Sequence, residues 1–187
     1  MKTRFVVTIL VGALFAAAVS PSAEAQLPNG YGPTIGVESA RKLAATAIAE
    51  GKKNGWNVAV AIVDPNGDLV FFERMDNVQV AATVVSQEKA RTAARFKRPT
   101  KAFEDALAGG RQAILGLPGV TPLEGGIPLV VEGKIVGAIG VSGATSAQDA
   151  QCGQAAADTL GKQPTLPPPA PKPPVTPPAT PTPPVKK

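Results

Sequence analysis

Histidine and cysteine, which many enzymes use for proton transfer and metal binding, are nearly absent from this sequence. The chain has no histidine among its 187 residues, which excludes a Ser-His-Asp triad, a Cys-His pair, an H-E-x-x-H zinc site and a haem held by histidine. Ser142 follows Gly140 in a motif that approaches a nucleophile elbow. No base of the usual kind accompanies it, so a tight turn between a strand and a helix is predicted instead.

Cys152 and Lys89 are two other residues whose side chains could react or bind a ligand. The single cysteine, Cys152, lies among alanines and is predicted to be a buried small hydrophobe rather than a reactive thiol. Lys89 interrupts the apolar stripe of a predicted helix over residues 81–96. One interpretation is that its stem lies along a sheet while its ammonium reaches water or pairs with a carboxylate. The other is a cation aimed into a pocket, available to a propionate or phosphate.

The run from Gly125 to Gln151 is predicted to position these residues. Two β-branched segments, 127–131 and 134–141, are separated only by Glu132 and Gly133, a pair that suits the two-residue turn of a hairpin. Both strands are expected to be buried on both faces. Thr145 or Ser146 then begins a helix, with Gln148 or Asp149 completing a capping box.

The remaining elements precede this hairpin. Helical spacing of apolar residues predicts a helix from Val37 that ends at Gly51 to Gly55, and a continuous apolar run predicts a strand over 58–63. Turn residues at 64–68 lead to a return strand over 69–74, and Pro99 separates the helix over 81–96 from another over 101–108. The expected fold is α+β, an antiparallel sheet flanked by helices in a single domain.

Composition divides the chain into four segments. Residues 1–25 have the basic start, short apolar core and A-x-A end of a cleavable signal peptide, which predicts a periplasmic or secreted protein cut after Ala25. Residues 26–36 form a lead-in arm and residues 37–162 the domain. Residues 163–187 form a proline-rich tail, expected to be a disordered polyproline-type spacer.

Charge and composition argue against nucleic-acid binding and against a membrane-spanning protein. The formal net charge is +5, but the tail contributes Lys172, Lys186 and Lys187, which leaves the domain close to neutral. Few aromatic residues are present, so no nucleic-acid partner is expected. The apolar part of residues 1–25 is too short to span a bilayer, so a membrane-spanning protein is not expected either. Contact between the basic tail and an anionic envelope polymer is a further hypothesis.

Three stretches carry a resemblance to a known family. They are VESARKLAATAIAEGKKNGWNVAVAIVDPNGDLVFFERMD, EKARTAARFKRPT and EGGIPLVVEGKIVGAIGVSGATSAQDAQC. Over roughly residues 37–160 the chain resembles the GlcG/HbpS family, also called the haem-degrading or DUF336 domain, and in particular its secreted haem-binding members. The resemblance implies a profilin-like shape and assembly into homo-oligomers.

The resemblance also implies a tetrapyrrole site, with haem as the expected cofactor. Because histidine is absent, any axial ligand to iron must be another residue, and the candidates are Met75, Tyr31, Cys152 and Thr100, which lies in the segment KRPT. The cations expected to meet the propionates are Lys89, Arg95 and Arg98. The binding residues predicted for this chain are therefore Lys89, Thr100, Arg95 and Met75, while the metal ligand is left open and no catalytic residue is assigned.

The function predicted from the sequence is an exported protein that binds haem, a similar tetrapyrrole or a small anionic ligand without histidine ligation. One alternative is an enzyme for haem breakdown or for a small-metabolite reaction near glycolate oxidation, using Lys89, Glu73, Arg74 or Glu124. Another is an oligomeric structural module without a ligand.

Overall fold

The computed structural model of the chain describes residues 29–160. The predicted signal peptide (1–25) and proline-rich tail (163–187) lie outside the described residues. The elements are, in chain order, β1 (Gly30–Tyr31), α1 (Val37–Asn54), β2 (Ala59–Val63), β3 (Leu69–Arg74), α2 (Ala82–Phe96), α3 (Lys101–Ala108), a 3-10 helix (Gln112–Gly116), β4 (Gly126–Val131), β5 (Lys134–Ser142) and α4 (Ser146–Leu160). None of the helices among these residues is long and apolar enough to cross a membrane.

The strands form one sheet in which β5 is central. β5 pairs antiparallel with β4 along one edge and with β2 along the other, because its residues 138–140 pair with both strands. β3 lies outside β2 and antiparallel to it. β1 pairs parallel with Lys134 and Ile135 at the start of β5. The predicted fold, an antiparallel sheet flanked by helices in one domain, is confirmed; the short parallel strand β1 is an addition within the lead-in arm.

Helices cover both faces of the sheet. α1 and α4 pack on one face, where they enclose the main hydrophobic core with Val58 and with alternate residues of β2 and β5, including Val60, Ile62, Ile139 and Val141. α2 packs on the other face, where Ala61, Val63 and Ala138 meet Ala90, Ala93 and Ala94. The face beneath α2 is therefore lined by small side chains, which lets this helix approach the sheet closely.

Two glycines make that approach possible. Gly126 of β4 and Gly140 of β5 are directly paired, and both lie under α2. A Cβ atom on Gly140 would collide with the backbone of Ser86 and Ala90, and one on Gly126 would collide with the backbone of Lys89. Glycine is required at both positions because the helix backbone occupies the space of a side chain.

The hairpin of β4 and β5 forms as predicted, with Glu132 at φ 49° and Gly133 at φ 71° in its turn. The prediction that both strands are buried on both faces is correct for β5 and wrong for β4. Val130 of β4 is 37% exposed, because β4 is paired only with β5 and forms an edge of the sheet. The capping box is also present, since the backbone N–H of Gln148 donates to Thr145 Oγ1 and that of Thr145 donates to Gln148 Oε1.

Candidate functional site

A surface pocket of about 320 Å³ lies where the start of α3, the approach to β4 and the first half of α4 come together. These three segments are distant in sequence and are brought together because Thr100 hydrogen-bonds to Gly126 and α4 packs on β4. The lining residues are Pro99, Lys101, Glu124, Gly125, Gly126, Ile127, Ala147, Ala150, Gln151 and Gln154. This volume lies at the lower end of the range for small-molecule sites.

Of the four polar side chains in the lining, those of Lys101, Gln151 and Gln154 are already hydrogen-bonded, and the carboxylate of Glu124 is the exception. Lys101 Nζ donates to Asp105 Oδ1 at 2.7 Å. Gln151 Nε2 donates to Glu50 Oε1 at 2.8 Å, and Gln154 Nε2 donates to Asp158 Oδ1 at 2.6 Å. The surface left for a ligand is therefore mostly apolar, with side chains from Pro99, Ile127, Ala147 and Ala150.

Carboxylates outnumber cations at the edge of the pocket. Lys101 is the one basic residue of the lining. The hydrogen bond to Asp105 is the main reason that its pKa is raised, and the charges of Asp105, Glu124 and Glu104 add to this effect. Glu104 also accepts a hydrogen bond from the backbone N–H of Glu124. The rim is therefore locally acidic although it contains a lysine.

A buried ion pair lies directly behind the pocket. Lys89 Nζ is 2.8 Å from Asp149 Oδ2, and each side chain is only 2% exposed. Lys89 Nζ also donates to the carbonyl oxygen of Val141 at 3.1 Å, while Asp149 Oδ1 accepts from the backbone N–H of Ala144 at 3.0 Å. Burial raises the pKa of the Asp149 carboxyl, because the desolvation penalty outweighs the Lys89 ammonium and the backbone donors. Pairing of Lys89 with a carboxylate is part of the first of the two interpretations that its sequence position allows.

Gly125 separates this ion pair from the pocket. Its φ is +126°, and a Cβ atom there would lie 2.9 Å from Lys89 Nζ and 2.8 Å from the carbonyl oxygen of Val141. No side chain fits without displacing one of them. Lys89 therefore supports the wall of the pocket from behind and does not line it.

Thr100 supports the neighbouring part of the wall. Its side chain is fully buried. Thr100 Oγ1 accepts from the backbone N–H of Gly126 at 2.9 Å and lies 3.4 Å from the carbonyl oxygen of the same residue. Thr100 precedes α3, yet its hydroxyl makes no capping hydrogen bond to that helix.

The other predicted site residues lie away from the pocket. Arg95 Nε donates to the carbonyl oxygen of Asn66 at 2.8 Å and so packs on the turn between β2 and β3. Met75 Sδ accepts from the backbone N–H of Val58 at 3.4 Å and packs against the main core. The structure thus brings Lys89 and Thr100 together behind Gly125 and Gly126, and places Arg95 and Met75 elsewhere. Their roles in binding stay predictions.

Sequence reasoning missed most of the pocket. Ile127 and Gln154 carry no local signal of a binding role, and Asp149 was expected only as a possible helix cap. The one available signal was Lys89, because a lysine within an apolar stripe needs a compensating partner when it is buried. That partner is 60 residues further along the chain, beyond the reach of any periodicity.

The pocket does not offer an ordinary axial ligand for haem iron. Its lining contains no histidine, cysteine, methionine or tyrosine, and residues 29–160 contain no cluster of three potential metal-ligating side chains. Cys152 is fully buried on α4. Desolvation, with smaller contributions from Asp149 and Glu50, raises the pKa of its thiol to about 11, so it is protonated at neutral pH. The residues present suit contact with a macrocycle better than ligation of its metal.

Comparison with known proteins agrees with this fold. Residues 35–158 match the family model described as haem degrading protein HbpS-like. The GlcG protein of Escherichia coli is 47% identical over 105 residues, which are 56% of this chain and 78% of GlcG.

Solved structures of other proteins also resemble this fold. A crystal structure of a double mutant of HbpS from Streptomyces reticuli superposes with a TM-score of 0.65 at 32% identity, covering 78% of this chain and 99% of that one. The crystal structure of PduOC in complex with heme has a TM-score of 0.62 at 24% identity and covers 68% of this chain and 95% of that one, a likeness of fold alone. The chain belongs to the HbpS-like family.

Proposed function

We propose that this protein binds haem or a related tetrapyrrole at the pocket between α3 and α4, without ligation of iron by histidine. The observation that carries the proposal is an apolar pocket, closed at the back by Gly125 and Gly126. The chain around it matches the family model described as haem degrading protein HbpS-like. Removal of apolar surface from water supplies the binding free energy in such a site. Its volume accommodates part of a macrocycle rather than the whole.

The setting of this function is part of the same proposal. The signal-like segment 1–25 supports a mature chain that starts at Gln26 and acts in the periplasm or outside the cell. Assembly into homo-oligomers would cover more of a macrocycle than one pocket does. The basic, proline-rich tail would then hold the assembly near an anionic envelope polymer. Deleting residues 163–187 tests the last point, since retention on such a polymer should fall.

The direct test is a hemin titration of residues 26–187 followed by the Soret band. We expect a saturable, shifted band at near one haem per protomer. Ala147 is exposed on the α4 side of the pocket, so the indole of Ala147→Trp should fill it and weaken binding by about tenfold or more, the equivalent of about 1.4 kcal/mol.

The matched control is Ala45→Trp, an exposed alanine on α1 outside the pocket lining. This variant should bind hemin as the unmodified chain does. A response that never saturates would refute haem binding. Equal weakening by both tryptophans would refute the assignment of the pocket.

A further inference from the structure

We propose that the pocket takes a carboxylate-free edge of a porphyrin and leaves the propionates in solvent, so that ring substituents rather than the metal decide what binds. This inference rests on the proposed function and goes beyond it, because it names the ligand group that enters the pocket. It also predicts that metal-free porphyrins are ligands.

The interior of the pocket is mostly apolar. Ile127 and Pro99 contribute apolar side chains on one side, and Ala147 and Ala150 contribute methyl groups on the other. A vinyl- and methyl-bearing edge of a porphyrin can replace water at such a surface without losing hydrogen bonds. A propionate placed there would lose its hydration without gaining a partner.

The charges at the rim of the pocket disfavour a propionate. Lys101 is the single cation of the lining, and its ammonium already contacts Asp105. Glu104 and Glu124 lie close enough to act on the same ammonium. A propionate approaching Lys101 would compete with Asp105 and meet two further carboxylates, so the rim repels an anionic edge.

The cations outside the lining are held away from the pocket. Lys89 is the basic residue closest behind the pocket, but Gly125 and the pair with Asp149 keep it from any ligand. Arg95 is bonded at the turn between β2 and β3. Arg98 Nε donates to the carbonyl oxygen of Phe96, and its guanidinium lies 5.7 Å from the centroid of the Phe103 ring. None of the three cations expected from the sequence to meet the propionates lines the pocket, so recognition falls to the apolar edge.

The test compares three porphyrins under the same conditions. Protoporphyrin IX and hemin have both propionates on one side of the ring, whereas coproporphyrin III carries a propionate on each of its four pyrroles. We expect protoporphyrin IX to bind within about threefold of hemin. Coproporphyrin III should bind about tenfold more weakly or not at all, the equivalent of about 1.4 kcal/mol or more. Porphyrin fluorescence measures the binding of protoporphyrin IX and coproporphyrin III. The affinity for hemin is compared with theirs by displacing bound hemin with protoporphyrin IX.

A charge variant completes the experiment. Lys101→Ala should leave the dissociation constant for hemin within about twofold, and that constant should change little between low and high salt. Saturable hemin binding combined with equally tight binding of coproporphyrin III would overturn the inference. So would a tenfold, salt-dependent loss in Lys101→Ala, since either result means that propionates enter the pocket. If none of the three porphyrins binds saturably, the proposed function itself falls, and the inference with it.

Discussion

Lys89 Nζ lies 2.8 Å from Asp149 Oδ2, and this contact joins helices that pack on opposite faces of the sheet. Lys89 is on α2 and Asp149 is on α4, so the pair connects the two helical layers beside the C-terminal end of β5. The carbonyl oxygen of Val141 and the backbone N–H of Ala144 complete the hydrogen bonding. The pair therefore fixes the position of α4 relative to α2, and with it the wall of the pocket.

Breaking this pair should be costly. Lys89→Met retains a stem of similar length but leaves the Asp149 carboxylate buried without a cation, which typically lowers the free energy of unfolding by about 3–5 kcal/mol. Urea denaturation at neutral pH measures the change. The double variant Lys89→Met/Asp149→Asn removes both charges and keeps an oxygen to accept from Ala144, so it should be more stable than Lys89→Met alone. A double variant as unstable as the sum of its single variants would contradict the coupling.

The buried thiol of Cys152 predicts a loss of stability at alkaline pH. Its pKa is raised from the ordinary 9.0 to about 11 in the folded protein, so the unfolded chain releases this proton first. The stabilising contribution is complete below about pH 9 and is lost as the pH rises towards 11, and it amounts to about 2–3 kcal/mol.

Comparison with Cys152→Ala isolates this effect, because every other titratable group is common to both proteins. The difference in unfolding free energy between the two should shrink from pH 8.5 to pH 11. Absorbance of the thiolate at 240 nm gives the pKa directly. A midpoint near 9 in the folded protein would contradict the prediction.

The close approach of α2 to the sheet predicts a severe effect of a single methyl group. In Gly140→Ala the new Cβ would collide with the backbone of Ser86 and Ala90, and overpacking of this kind costs about 1–3 kcal/mol or more. Gly116→Ala is the matched control, because nothing lies within 4 Å of a Cβ there. Thermal unfolding of both variants makes the comparison, and equal melting temperatures would show that α2 can move away without cost.

Thr100 offers a test that separates a structural role from a binding role. Thr100→Val retains the shape of the side chain but leaves the backbone N–H of Gly126 buried without its acceptor, at a cost of about 1–3 kcal/mol. Thr100→Ser retains the hydroxyl and should be less destabilised. If the Thr100 hydroxyl only supports the wall, hemin affinity in Thr100→Ser should match that of the unmodified chain. A spectral change of bound hemin in this variant would instead favour direct contact.

The parts of the fold that depend on neighbours in sequence were predictable. The turn at Glu132 and Gly133 and the capping box of Thr145 and Gln148 are specified within a few residues, and both formed as expected. The central position of β5 was not predictable, because it depends on pairing with β2, whose Val60 is opposite Val141. Exposure of Val130 follows from the same strand order, which no alternation pattern reveals.

The candidate site was less predictable than the fold. Lys89 was recognisable because a charge within an apolar stripe conflicts with its surroundings, but its orientation depends on Asp149 in another element. The pocket combines Pro99, Ile127 and Ala150 from three separate segments, and none of these residues differs from ordinary core or surface residues in sequence. Such a site becomes visible only when the contacts that Thr100 and α4 make with β4 are known.

The central place of β5 also sets an order for folding. β5 is the last strand in the chain, yet it supplies the inner partner of both β2 and β4. A chain synthesised from its N-terminus therefore presents β2 and β3 as a hairpin with an unpaired inner edge until residues 134–142 have been made. Unpaired edges of this kind recruit strands from other chains, and contacts so distant in sequence form slowly. The growing chain is thus most vulnerable to aggregation just before the segment that completes its sheet becomes available.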